Sequence, residues 1–230
     1  MLNTFSRPLP WILLVLSCSV IKAVDLNLNI GKFPYEAYRA APPHSAALRV
    51  SVPPPVIGAA VTYVYRDKHS TLNQYVPSGW MGDYEDLQLS DSVSVNPAAG
   101  TSCMKITYQP KGRQGFDWAG MYWQHPANNW GGVAGGYDLQ RMHRITFWAR
   151  GEYGGEVVSV FKIGGLQGNY ADTDEAQIGP VTLTSEWKQY TIDLTGMNLS
   201  LIGGGFAWAT GRNDNPGPIT FYLDEIRYES

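Results

Sequence analysis

The chain has 230 residues, 44% hydrophobic and 13% aromatic, with only 16% charged and a formal net charge of −3. That length allows one domain with a tail and a sizeable buried core. The slightly acidic balance excludes the basic footprint of a nucleic-acid binder.

Taken in chain order, the first 23 residues read as an export signal. Arg7 supplies the positive end, and an apolar run beginning at Trp11 and continuing through Leu16 fades by Ile21. The run is too short to span a bilayer, and cleavage is expected after Ala23. A second route stays open. Val15-Leu16-Ser17-Cys18 resembles a bacterial lipobox, which would leave Cys18 as a lipid anchor in the membrane. Either route gives a secreted, periplasmic or cell-surface protein. Processing leaves Cys103 as the remaining cysteine, so no intrachain disulfide and no cysteine-based zinc site is expected. Its setting, Ser102-Cys103-Met104, reads as a small buried hydrophobe on a strand.

Residues 24–57 read as a tether. Pro34, Pro42, Pro43 and Pro53-Pro54-Pro55 interrupt any helix or central strand. The folded domain is placed at 58–230. Its strand candidates run from Val61–Tyr65 through a turn-rich stretch at Pro77-Ser78-Gly79 to Leu87–Leu89, Met104–Tyr108, Ala119–Trp123 and Ile145–Ala149. Val157–Ile163, Trp187–Leu194, Phe206–Ala209 and Ile219–Leu223 complete the set. Short β-branched and aromatic runs punctuated by Gly, Pro, Asn and Asp, without a sustained helical period, predict an all-β sandwich or barrel.

Alternation assigns faces. Ile145, Phe147 and Ala149 share one side of their strand; Thr146, Trp148 and Arg150 share the other. Trp118, Tyr122 and Gln124 oppose Met121 and Trp123. In the last strand Phe221 and Leu223 share a parity that Ile226 breaks, so a bulge at Asp224-Glu225 is expected to return Ile226 to the core and re-aim a carboxylate.

Three segments in order carry a resemblance: Thr146-Phe147-Trp148-Ala149-Arg150-Gly151, then Glu186 to Leu194, then Phe221-Tyr222-Leu223-Asp224-Glu225-Ile226. Together they resemble the β-jelly-roll carbohydrate-binding modules with a galactose-binding-like fold, which are attached to bacterial polysaccharide-degrading enzymes. The resemblance implies a two-sheet antiparallel jelly-roll sandwich without catalysis, binding of a polysaccharide or oligosaccharide, and often one structural calcium (Ca2+). A monomer is expected.

Sugars present C–H faces that stack on rings and hydroxyls that take polar side chains, which suits a chain with 8 Trp and 14 Tyr. The candidate ligand residues are Trp118, Tyr122, Gln124, Trp130, Trp148 and Arg150. Trp118, Tyr122 and Gln124 are expected to share a concave sheet with Trp148 and Arg150. Trp130 follows Asn128-Asn129 and precedes Gly131-Gly132, a loop signal. These rings, with Trp208, are also what a sandwich core would use, and Trp130 could plug the end of that core. Arg150 could instead pair with Glu152 or Glu156. For calcium, which takes six to eight oxygens, the candidates are Asp224, supported by the resemblance, and the cluster Asp83, Glu85 and Asp86. Asp172-Thr173-Asp174-Glu175 reads as a solvated loop.

Enzyme signatures are missing. There is no Gly-x-Ser-x-Gly elbow and no His-Glu-x-x-His, and His44, His69, His125 and His143 are scattered. Scattered acids such as Asp117 and Glu156 leave a glycoside hydrolase or polysaccharide lyase as one alternative. A structural or adhesive surface protein is the other.

Overall fold

A computed structural model describes residues 60–230. The export signal ending at Ala23, the Cys18 anchor and the 24–57 tether lie outside the described residues. In chain order the strands are β1 (Val61–Tyr65), β2 (Val76–Gly82), β3 (Leu87–Val93), β4 (Cys103–Tyr108), β5 (Trp118–Gln124) and β6 (Arg144–Gly151). They continue as β7 (Val157–Val158), β8 (Val160–Gly164), β9 (Glu175–Ile178), β10 (Val181–Thr182), β11 (Lys188–Asp193), β12 (Gly204–Gly211) and β13 (Ile219–Glu229). A short 3-10 turn, Tyr84–Asp86, links β2 to β3.

The strands form an antiparallel two-sheet jelly-roll sandwich. One sheet has the order β11-β6-β13-β4-β3, with β1 alongside the far half of β13; the other has the order β2-β5-β12-β8-β9. The expected aliphatic faces meet between them. Ile145, Phe147 and Ala149 of β6 are fully buried, as are Met121 and Trp123 of β5. Phe206 and Trp208 of β12 join the same cluster, where Trp208 meets Phe221 edge to face at 5.0 Å between ring centroids. Trp208 is therefore core mass. Cys103 is a buried free thiol.

The bulge in β13 is present. Its register against β6 shifts between Asp224 and Arg227, Glu225 adopts φ +47, and Ile226 lies fully buried in the core. A bulge adds one residue to one strand, which restores inward parity after the break. Elsewhere the run 157–163 is divided at Ser159, whose hydroxyl donates to Asp214, giving β7 and β8.

Three strands were not legible as such. β2 contains Pro77, Gly79 and Gly82 and reads as a turn, yet it is an edge strand, where a missing N–H is tolerated. Its pairing with β5 shifts between Pro77 and Gly79. β9 begins at Glu175, the last residue of the acidic stretch read as a loop, and is the opposite edge of the same sheet. β10 is two residues long and pairs only with β7.

Candidate functional site

Parity within β5 is as expected: Trp118, Tyr122 and Gln124 lie on the outer face of the five-stranded sheet, opposite buried Met121 and Trp123. Position on that face does not make them accessible. Tyr122 is only 2% exposed, and its hydroxyl donates to the carbonyl of Gly164 at 2.7 Å. Gln124 is fully buried; it donates to the Asn129 carbonyl at 3.0 Å and accepts from Ser78 Oγ at 2.9 Å. Asn129 in turn accepts from Gly131 N at 3.0 Å and Val133 N at 3.2 Å and donates to the Val133 carbonyl at 2.9 Å. The loop after β5 is thus tied to the sheet by two buried amides. Tyr122 and Gln124 are therefore buried beneath the loop rather than open on this face, unlike the accessible positions expected of both.

Above them the outer face carries its own apolar cluster of Met81, Tyr122, Leu166 and Ala207, with Trp118 and Trp130 packed against it half-buried. Trp130 stands edge-on to Tyr122, with ring centroids 5.9 Å apart and planes at 84°. The cluster needs a low floor. Gly120 provides part of it, since a Cβ there would lie 2.5 Å from the Trp208 carbonyl and 2.9 Å from Met81 Cε. The opposite wall is held by Asp172, which accepts from Leu166 N at 2.9 Å and from Gly203 N and Gly204 N. Burial outweighs those N–H donors and pushes its carboxyl up to about 6.

A groove of about 510 Å³ opens beside this cluster at the β2 edge, lined by Ser78, Trp80, Tyr84, Leu87, Asn128 and Trp130. Trp80 is 36% and Tyr84 42% exposed. The Ser78 hydroxyl links the two walls, accepting from Asn128 N at 2.8 Å while donating to Gln124. Trp80 and Tyr84 escaped the sequence reading because β2 and the 3-10 turn after it read together as one turn-rich stretch. The available signal was a tryptophan and a tyrosine within a glycine-rich stretch, where core packing has little use for them. Trp118 meets exposed Phe116 edge to face at 6.5 Å and prolongs the aromatic surface.

Two carboxylates read as calcium ligands instead fasten the loop that carries Phe116. Asp83, fully buried, accepts from Gln114 N at 2.7 Å, Phe116 N at 3.1 Å and Asp117 N at 2.8 Å. Asp86, also buried, accepts from Lys111 N and Gly112 N at 2.7 Å and faces Arg113 at 3.4 Å. Asp224 sits elsewhere, in β13. It accepts from Ala98 N at 2.8 Å, Ala99 N at 3.1 Å and Glu225 N at 2.9 Å, and burial pushes its carboxyl up to about 7. A calcium site needs convergent oxygens, whereas Asp83 and Asp224 turn theirs toward N–H donors, and Asp86 turns Oδ2 toward two N–H donors and Oδ1 toward the Arg113 cation. Asp83, Asp86 and Asp224 therefore do not fit the ion, and no group of three or more metal-ligating side chains occurs among the described residues.

Trp148 and Arg150 lie on the outer face of the six-stranded sheet, on the far side of the sandwich. The expected groove joining them to Trp118, Tyr122 and Gln124 does not form, because residues 125–143 carry the chain from one sheet to the other between β5 and β6. Arg150 does not pair with Glu152 or Glu156. Its guanidinium lies over the Tyr222 ring at 3.8 Å and near Trp187 at 5.2 Å. Glu152 accepts from the Tyr222 hydroxyl and Glu156 from Tyr153 N.

No family model matches the sequence, and no curated protein is similar to it. Solved structures do share its architecture. The family 30 carbohydrate-binding module of a cellulosomal cellulase of Clostridium thermocellum is 16% identical with a TM-score of 0.50, over 74% of this chain and 97% of that one. A family 11 carbohydrate-binding module of another cellulosomal cellulase of that organism is 15% identical with a TM-score of 0.46, over 72% and 92%. The chain has the antiparallel β-sandwich fold of a carbohydrate-binding module.

Proposed function

We propose that the domain binds a neutral polysaccharide or oligosaccharide in the groove at the β2 edge and leaves it chemically unchanged. The observation that carries this reading is convergence. Trp80 from β2, Tyr84 from the 3-10 turn and Trp130 from the loop after β5 bring part-exposed rings to one groove, with a serine hydroxyl and an asparagine amide between them. Rings presented this way offer flat, rigid area to the C–H faces of a sugar at low entropic cost, and the hydroxyl and amide can meet its hydroxyls. No lining residue is charged, which matches a neutral ligand. Glycoside hydrolysis requires two carboxyl groups flanking the bond, and the lining supplies none. The fold shared with a family 30 carbohydrate-binding module supports the same reading. The N-terminal segment read as an export signal supports a location outside the cell or, through Cys18, on its surface.

The test is a neutral-glycan array followed by calorimetry on the best oligosaccharide, with product analysis. Trp80→Ala and Trp130→Ala should each weaken binding by on the order of 2 kcal/mol, about thirtyfold. Wild-type affinity in both variants would refute the groove, and released product would refute the non-catalytic reading.

A further inference from the structure

Antiparallel pairing places Lys105 of β4, Tyr222 of β13 and Arg150 of β6 in one cross-strand row on the outer face of the six-stranded sheet. Trp187, just before β11, extends the row, meeting Tyr222 edge to face at 6.4 Å and anchored by an Nε1–H bond of 2.9 Å to the Asn96 carbonyl. Two cations therefore share one ring: the Arg150 guanidinium lies 3.8 Å and the Lys105 ammonium 5.8 Å from the Tyr222 centroid. Cation–π attraction holds both heads in place.

Neither cation is neutralised. No carboxylate among the described residues reaches ion-pair distance of Lys105 or Arg150. Arg150 donates through Nη1 to the Gly151 carbonyl at 3.3 Å, and its buried Nε has no hydrogen-bond partner. The acids nearest in register are engaged: Glu152 takes the Tyr222 hydroxyl, and Asp224 takes three backbone N–H groups under the 98–99 segment. The flanking rows hold those two engaged acids, Glu152 across from Thr220 and Asp224 across from Trp148, among neutral polar partners. Thr107 and Thr220 share a hydroxyl bond of 3.1 Å on one side, and Trp148 pairs with Gln189 on the other. In a chain of net charge −3, two adjacent unpaired cations beside half-buried tryptophans are an invitation to an anion.

We propose that this face is a second ligand site, which takes the acidic group of a glycan: a uronate carboxylate or a sulfate ester. Arg150 offers the N–H groups at the Nη end of its guanidinium, Lys105 adds a point charge, and the half-buried rings of Trp148 and Trp187 flank the sugar carrying it. The site lies on the sheet opposite the neutral groove and stands whether or not that groove binds. A domain with both would bridge an acidic polymer and a neutral one.

Calorimetry on the full chain with an oligogalacturonate, a sulfated galactan oligosaccharide and a neutral oligosaccharide, each at low and high salt, tests this. At least one acidic probe should bind, more weakly as salt rises, and the two acidic arms tell carboxylate from sulfate. Lys105→Gln and Arg150→Gln should each weaken that binding about tenfold, with the melting temperature unchanged in Lys105→Gln. Trp80→Ala should leave acidic binding intact. If Arg150→Gln fails to fold, Lys105→Glu decides alone. Absence of binding by both acidic probes, or binding that survives the loss of Lys105, overturns the proposal.

Discussion

Tyr122 and Trp130 meet edge to face with centroids 5.9 Å apart, and this contact joins the five-stranded sheet to the loop that walls the groove. The two rings have different jobs. Tyr122 is buried and donates to Gly164, while Trp130 is half-exposed and lines the groove. Tyr122→Ala should therefore cost about 3–5 kcal/mol of stability, as for a buried ring, and Tyr122→Phe only about 1 kcal/mol for its lost hydrogen bond. Trp130→Ala should cost less stability than Tyr122→Ala. Denaturant unfolding of the three variants checks the order.

Asp83 is expected to act as a loop anchor. It accepts N–H bonds from Gln114, Phe116 and Asp117 while fully buried. Asp83→Asn keeps the shape but turns an amide toward those donors, so stability should fall by about 3 kcal/mol. A chelator should leave the melting temperature of the wild type unchanged. A chelator-sensitive melting temperature would show that calcium is held by some other set of oxygens.

Stability should depend on pH through Asp172. Burial raises its folded pKa to about 6, above about 3.9 in an unfolded chain. A group raised on folding contributes stability that is fully present below the unfolded pKa and is lost as pH rises through the folded one. Between about pH 4 and 6 the contribution should thus decline, by at most about 3 kcal/mol. Asp224, raised to about 7, acts in the same direction. His125, held below its usual range by burial, acts in the opposite one. The readout is the slope of unfolding free energy against pH for wild type and Asp172→Asn, with a shallower decline in the variant.

The β13 bulge should tolerate both deletion of its extra residue and glycine. Removing Glu225 takes out the extra residue and leaves Leu223, Ile226 and Tyr228 with a common inward parity, so the core faces survive and the loss should be only about 1 kcal/mol. Glu225→Gly relieves a φ of +47 but removes the 2.9 Å ion pair between buried Glu225 and half-buried Arg227, which keeps its pair with Glu229, and these opposing effects should nearly cancel, within about 1 kcal/mol. Chemical denaturation of both variants measures the difference.

Faces were legible from sequence wherever a strand was recognised. The inward set Ile145, Phe147 and Ala149, the opposition of Tyr122 to Met121 and Trp123, and the bulge that rescues Ile226 all follow from a side-chain period of two, which is local and fixed by the backbone. Trp80 was not legible. Pro77 and Gly79 speak for a turn, and only the place of β2 at a sheet edge makes a strand tolerable there.

The sequence by itself determined an antiparallel sandwich, its core faces and its surplus of rings. Only the tertiary structure decided which rings meet. Periodicity says that Trp118, Trp130, Trp148 and Arg150 point away from their strands' core side or sit in a loop. It carries no information on which sheet a strand joins, because pairing partners are set by contacts far apart in the chain. The crossing over residues 125–143 sends Trp130 to one side of the sandwich and Arg150 to the other. The same long-range packing buries Tyr122 and Gln124 beneath a loop and turns Asp83, Asp86 and Asp224 from prospective metal ligands into acceptors of backbone N–H, since a buried carboxylate must find donors wherever the fold supplies them.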